Sequence, residues 1–168
     1  DYPNTYQQIR KTVQLAIPFF DDFVLNPETL PTGEQQIRLL WQQRDSDYPM
    51  WASQLSDGSL RFICLTTAFL QPDPPSTIII DEPELGLHPY AIDLLGALVK
   101  SASTRMQVIL STQSVLLLNE FELEDIIVVE REDGVSTFKR HNSKDFELWL
   151  EDYTIGELWE KNVLGGIP

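Results

Sequence analysis

The 168-residue chain contains one cysteine, two histidines, two methionines and 12 basic residues against 26 acidic ones. Each shortage excludes a class of protein. Cys64, the single thiol, has no partner for an internal disulfide, and no Cys/His cluster has zinc-ligand spacing. A disulfide-stapled secreted scaffold and a zinc module are therefore both excluded, and a reducing cytoplasm is the expected compartment. No run of about 18 apolar residues occurs and no basic segment leads into an apolar one at the start, which argues against a membrane span or a signal peptide. The formal charge of −14 is uneven, with five basic and nine acidic residues in 1–76 but seven and seventeen in 77–168. Phosphate-rich polymers are repelled by such a surface, so autonomous nucleic-acid binding is not expected.

What remains is enough for one compact domain. Hydrophobic residues make up 42%, with four Trp, five Tyr and eight Phe, which excludes wholesale disorder. In TYQQIRKTVQLAI (5–17), Tyr6, Ile9, Val13 and Ile17 recur at helical intervals up to Pro18, and 18–34 reads as loop. Alternation in QIRLLWQQ (36–43) predicts a strand with one buried face, followed by a linker rich in Asp, Ser and Pro. Ser56 stands at an N-cap position for a helix over 57–70, with Leu60, Ile63, Cys64 and Thr67 along one face, stopped by QPDPPS. TIII (77–80) and MQVILS (106–111) read as strands covered on both faces, separated by a helix over 89–101 and followed by a short helix from 114 to 118. That order implies an α/β fold with a parallel sheet and a right-handed crossover. DIIVVERE, Asp133-Gly134 and VSTFKR then give a hairpin, and 143–162 holds two short helical patterns before Gly165-Gly166.

The strongest chemical signal is TIIIDEPELGLHP (77–89). A strand ending in two acids places carboxylates at the carboxyl edge of a sheet, where open α/β folds bind ligands. There Asp81 can hold a hydrated magnesium ion, and Glu82 can orient and deprotonate a water that attacks a phosphoryl group. Alternatively the two acids simply end a strand. In LSDGSLRF (55–62), Ser56, Gly58 and nearby backbone N–H groups at a helix N-terminus suit a phosphate, or else form an ordinary cap. Arg61 can reach a phosphate or pair with Asp57. ILSTQS (109–114) brings Gln113 to the end of the next strand. Glu122, Glu124 and Asp125 read as a solvated face, and Trp149, Tyr153, Leu158 and Trp159 as side chains covering a sheet or docking a partner.

These segments, in this order over residues 55–114, resemble the ABC-type ATPases, in particular the branch shared by chromosome-maintenance and recombination-repair heads and by bacterial AAA-family ATPases related to the overcoming-lysogenization-defect nucleases. LSDGSLRF resembles the signature motif, TIIIDE the Walker B strand, PELGLHP the D-loop and ILSTQS the switch; the likeness extends to LGGIP at the end. The resemblance implies a P-loop NTPase-like lobe using ATP and Mg2+. In it Asp81 coordinates magnesium through water, Glu82 is the general base, and Ser56 and Gly58 contact the γ-phosphate held by a second copy. Gly86, Leu87 and His88 would lie along the seam of that homodimer, although a plain packing role suits His88 equally. Binding of nucleic acid follows from family resemblance alone.

Two departures qualify the match. Gln113 stands where the family usually has His, so it can donate a hydrogen bond but cannot become cationic. No glycine is followed by lysine, so the phosphate-cradling GxxxxGK[ST] loop is absent. The chain therefore reads as the C-terminal part of a longer ATPase domain: a helix-and-strand segment (1–54), the motif-bearing segment (55–118) and a hairpin with terminal helices (119–168). On its own it is expected to be inactive. Two rivals stand beside this reading: a degenerate head kept for dimerisation or regulation, and a metal-dependent phosphohydrolase using Asp81, Glu82 and His88.

Overall fold

The computed structural model describes residues 2–166, so Ile167 and Pro168 of LGGIP lie outside the described residues. The chain divides into two compact units, one formed by 1–78 with 85–108 and the other by 79–84 with 109–168.

In the first unit, helix α1 (Pro3–Ala16) starts on a proline whose fixed φ suits a first helical turn. It buries Val13 and, just beyond its end, Ile17 against Phe20, Trp41 and Ile63. The stretch 18–34, expected as loop, instead contains strands β1 (Phe20–Val24) and β2 (Pro27–Thr29). A register shift between Phe20 and Asp22 explains why β1 does not show in the sequence. The extra residue breaks the two-residue period, and Phe20 and Phe23, three apart, pack edge to face with centroids 4.7 Å apart. The acids of β1 are tied to α1, Asp21 by an ion pair with Arg10 at 3.1 Å and Asp22 by a hydrogen bond from Tyr6 at 2.5 Å.

The single strand expected over 36–43 is two strands with different neighbours. β3 (Gln35–Ile37) pairs with β2, whereas β4 (Leu40–Gln43) pairs antiparallel with β1 and with β5 (Pro49–Trp51), which lies in the expected linker. Trp41 is buried and Ile37 is exposed. Helix α2 (Asp57–Leu70) has the expected bounds, but its buried residues are Phe62, Ile63, Leu65, Thr66 and Phe69, while Cys64 and Thr67 are exposed. It packs against α1 and against α3 (Pro89–Ser103), whose apolar side carries Ala91, Ile92, Leu95, Val99 and Ala102.

Strands β6 (Thr77–Asp81) and β7 (Gln107–Ser111) pair with each other. Gln107 N–H donates to the Ser76 carbonyl at one end and Glu82 N–H to the Ser111 carbonyl at the other, each at 2.9 Å. Both chains thus advance together, and the pair is parallel, as the strand–helix–strand order requires. The expectation of cover on both faces fails. Burial alternates along both strands, Ile79 being 74% exposed and Ile109 45%.

The second unit continues with α4 (Val115–Leu118), the antiparallel hairpin β8 (Ile127–Glu132) and β9 (Val135–Arg140), and two short helices, α5 (Glu147–Asp152) and α6 (Ile155–Glu160). Asp133 and Gly134, with φ of 49° and 83°, form the two-residue turn that the Asp-Gly pair predicts. Leu123, Val128, Leu158 and Leu164 form the core, joined by Trp159, whereas Trp149 and Tyr153 are exposed. Of the four tail side chains, only Leu158 and Trp159 have the covering role. The acids at 122–125 are not merely solvated, since Glu124 accepts hydrogen bonds from the Ser143 hydroxyl and amide, and these hold its carboxyl below the usual range.

Candidate functional site

In the second unit β6 ends on Asp81. The next residue, Glu82, has φ of 43°, a left-handed backbone that is rare for a residue with a side chain and is found where surrounding contacts enforce it. The enforcement is visible on both sides. Glu82 N–H is held by the Ser111 carbonyl at 2.9 Å, and Pro83 is fully buried. The Ser111 hydroxyl donates to Asp81 Oδ1, and the Thr112 hydroxyl donates to Glu84 Oε1. Thr112 Oγ1 in turn accepts from Ser114 N–H at 3.0 Å, and Ser114 Oγ caps α4 by accepting from Leu117 N–H at 3.3 Å. Segments 81–84 and 111–114 are thus joined by three hydrogen bonds, while Asp81 and the Gln113 side chain stay exposed.

Asp81 and Ser111 offer a carboxylate and a hydroxyl side by side, the hard oxygen chemistry that a magnesium ion takes while keeping most of its water. The residues fit that ion. The rival set of Asp81, Glu82 and His88 does not form a metal centre, because no group of three His, Cys, Asp or Glu residues among the described residues is placed to hold a metal.

In the first unit the signature-like segment begins α2. Ser56 is its N-cap, Oγ accepting from Ser59 N–H at 3.1 Å and meeting the Ser59 hydroxyl at 2.9 Å, with Asp57 in the first turn where the helix dipole favours an acid. Gly58 faces Gly86 backbone to backbone. A Cβ on Gly58 would overlap the Gly86 carbonyl oxygen and lie 3.0 Å from its carbon, so any side chain there displaces backbone. Gly86 itself has φ of 78°. His88 is the N-cap of α3, its Nδ1 accepting from Tyr90 N–H at 3.2 Å, with Pro89 in the first turn. That is a structural use for the histidine. A cavity of about 140 Å³ is lined by Ser56, Gly58, Ser59, Gly86, Leu87 and His88, among others. Arg61, one turn into α2, is half-buried.

The structure therefore gathers the residues singled out from the sequence into two sets. Ser56, Gly58, Gly86 and His88 line one cavity in the first unit, and in the second Asp81 and Glu82 belong to one hydrogen-bonded cluster, with Gln113 exposed between its members Thr112 and Ser114. The reading from sequence missed Ser59, Glu84, Ser111 and Thr112. A signal was present for all four, because they lie within LSDGSLRF, PELGLHP and ILSTQS beside the residues read from those motifs.

The family described as "AAA domain, putative AbiEii toxin, Type IV TA system" matches residues 4–119. No curated protein matches the sequence. Among solved structures, one from work on ATP-driven dimerization and DNA-stimulated activation of SMC ATPases superposes with a TM-score of 0.62 at 17% identity, over 90% of this chain and 91% of that one. An Smc head domain derived from Pyrococcus furiosus, with an extended coiled coil and bound to the C-terminal domain of ScpA, gives 0.67 at 18% identity over 90% of this chain and 38% of that one. The SMC head domain from Thermotoga maritima gives 0.57 at 17% identity over 84% and 48%. The chain thus spans less than half the length of the last two. At such identities the likeness establishes a shared P-loop NTPase-like α/β fold. No helix among the described residues is long and apolar enough to cross a membrane.

Proposed function

Because the chain belongs to this AAA-domain family of ATPases, we propose that it is one lobe of an ABC-type ATPase head that binds MgATP, pairs with a second copy around the nucleotide and hydrolyses it. Residues 1–54, 55–118 and 119–168 are read as consecutive segments of that single head. The phosphate-cradling loop, absent from these 168 residues, is supplied by sequence outside them. What supports the reading most is the conformation of Glu82, a carboxylate at the end of a parallel strand on a left-handed backbone held by the neighbouring strand.

In this mechanism Asp81 holds the hydrated magnesium ion, with the Ser111 hydroxyl fixing its carboxylate. Magnesium, when bound, would supply positive charge that offsets the negative charge of the phosphate groups. Glu82 accepts the proton of the attacking water. Gln113 donates its amide hydrogens toward the γ-phosphate without adding charge. Ser56, Gly58 and Arg61 present a hydroxyl, a backbone N–H at a helix N-terminus and a cation to the γ-phosphate of the partner copy. Gly86 and His88 shape the seam between copies.

The test is ATP hydrolysis by the full-length protein. Glu82→Gln, which keeps shape and removes the base, is expected to lower kcat by about a hundredfold or more. Equal rates would remove Glu82 from the mechanism. Gln113 in place of histidine favours a second reading, a non-hydrolysing module for dimerisation or regulation. ATP-dependent pairing of the wild-type protein without turnover would select it.

A further inference from the structure

Glu84 lies outside the roles assigned so far, yet it is held as firmly as the residues that have them. Its Oε1 accepts the Thr112 hydroxyl hydrogen, while Oε2 is shielded from solvent and has no hydrogen-bond partner. A buried carboxylate oxygen without a donor is unfavourable, and a chain keeps such a group where position matters more than stability. The Thr112 hydroxyl works in both directions, donating its single hydrogen to Glu84 and accepting from Ser114 N–H at 3.0 Å. Rotation of this β-branched side chain breaks both bonds at once.

The consequence falls on Gln113, which lies between Thr112 and Ser114, the two residues joined by the bond from Ser114 N–H to the Thr112 hydroxyl. Ser111 on one side is bonded to Asp81 and to Glu82 N–H, and Ser114 on the other caps α4. The backbone at Gln113 is therefore fixed while its side chain remains exposed. On the other strand, only buried Pro83 separates Glu84 from Glu82.

We propose that Glu84 is a positioning residue: through Thr112 it locks the segment carrying Gln113 to the segment carrying Glu82, so that the general base and the phosphate-facing amide keep one separation. This rests on the assignment of Glu82 and Gln113 to ATP hydrolysis. Misplacing a reacting group by about an ångström can cost a factor of about a hundred in rate without weakening substrate binding.

Two measurements test it, one needing no turnover. In the 168-residue chain, Glu84→Ala is expected to speed amide hydrogen exchange at Ser114 by about fivefold, the worth of one net hydrogen bond, and Thr112→Ala to do the same, whereas Thr112→Ser keeps wild-type exchange. In the full-length protein, Glu84→Ala and Thr112→Ala are each expected to lower kcat about ten- to a hundredfold with KM for ATP within about twofold, the double variant to be no slower than either single one, and Thr112→Ser to restore the rate. Unchanged exchange at Ser114 in Glu84→Ala, a change confined to KM, or multiplicative losses in the double variant would each overturn the proposal. Should Glu84→Ala not fold, the same readings on Thr112→Ala and Thr112→Ser decide. Glu82→Gln measured in parallel separates the two readings. Loss of turnover in Glu82→Gln with full kcat in Glu84→Ala sinks this inference alone, while full turnover in Glu82→Gln sinks the assignment beneath it.

Discussion

Around Gly58 and Gly86 the chain fixes its geometry by leaving side chains out, and around Glu82 by hydrogen-bonding them together. In the first region two backbones meet where a single methyl group would overlap a carbonyl, and side chains act there as helix caps, Ser56 for α2 and His88 for α3. In the second, hydroxyls of Ser111 and Thr112 hold the carboxylates of Asp81 and Glu84 on either side of a left-handed Glu82. The two kinds of construction respond differently to change. A steric contact has no intermediate setting, since an added atom must move backbone. A hydrogen-bonded cluster loses one bond at a time and can be adjusted by isosteric substitution.

The sharpest way to break this contrast is Gly58→Ala. Overpacking against backbone is expected to destabilise the chain by about 3 kcal/mol, read as a lower midpoint in urea denaturation at unchanged slope. The control is Gly33→Ala, where φ is 84° but nothing lies within 4 Å of the added Cβ. There only the left-handed backbone is penalised, by about 1 kcal/mol. If the two substitutions cost the same, crowding at Gly86 is not what fixes Gly58.

In the second region the expected sign reverses. Glu82→Gly relieves a left-handed conformation that costs a non-glycine residue about 1 to 3 kcal/mol, partly offset by the greater freedom of glycine in the unfolded chain. A net gain of roughly 0.5–1 kcal/mol in thermal or urea denaturation is expected, together with loss of hydrolysis in the full-length protein. A destabilised Glu82→Gly would mean that the carboxylate contributes more to the fold than its backbone costs, and the strain would then be incidental to function.

How much of this was legible depends on the range of the interaction. Helix α2, capped by Ser56, and the hairpin turned by Asp133-Gly134 are written in neighbouring residues; the helix occurs with the bounds read from them, and the hairpin with its turn and second strand as read and its first strand two residues shorter. Strand β1 was illegible because its bulge displaces Phe23 from the alternating period, and β2 because all its residues are exposed; β3, equally exposed, was read only as the start of the strand that continues into β4. TIII looked doubly buried because a wholly apolar run carries no mark of which face is covered, and Ile79 proves to be on the open one. Within the candidate site, Asp81 and Glu82 stand out as charges at a strand end. Their hydroxyl partners do not, since the bond from Ser111 to Asp81 joins positions 30 apart and exists only in the register of β6 against β7. The meeting of Gly58 with Gly86 likewise depends on how α2 packs beside the start of α3, which no local pattern encodes.

A last and smaller effect separates the units by pH. In the first unit the displaced groups are tyrosines: Tyr6 is pushed up to about 12 by burial and by its hydrogen bond to Asp22, and Tyr2 is raised by its bond to Asp73. A group raised in the folded state contributes stability that is complete below its unfolded value near 10 and lost as pH climbs toward 12. In the second unit they are carboxylates, Glu124 held down by Ser143 and Glu157 by the Thr154 amide and hydroxyl. A lowered group contributes above its ordinary value of 4.5 and loses that contribution as pH falls below it. Urea titrations followed through Trp41 or Trp159 as sole fluorophore should show the Trp41 midpoint dropping between pH 10 and 12, and the Trp159 midpoint dropping below pH 4.5. Midpoints that move together at both extremes would mean that the two units unfold as one, so that alkali acting on Tyr6 would destabilise Glu82 and its neighbours as much as Gly58.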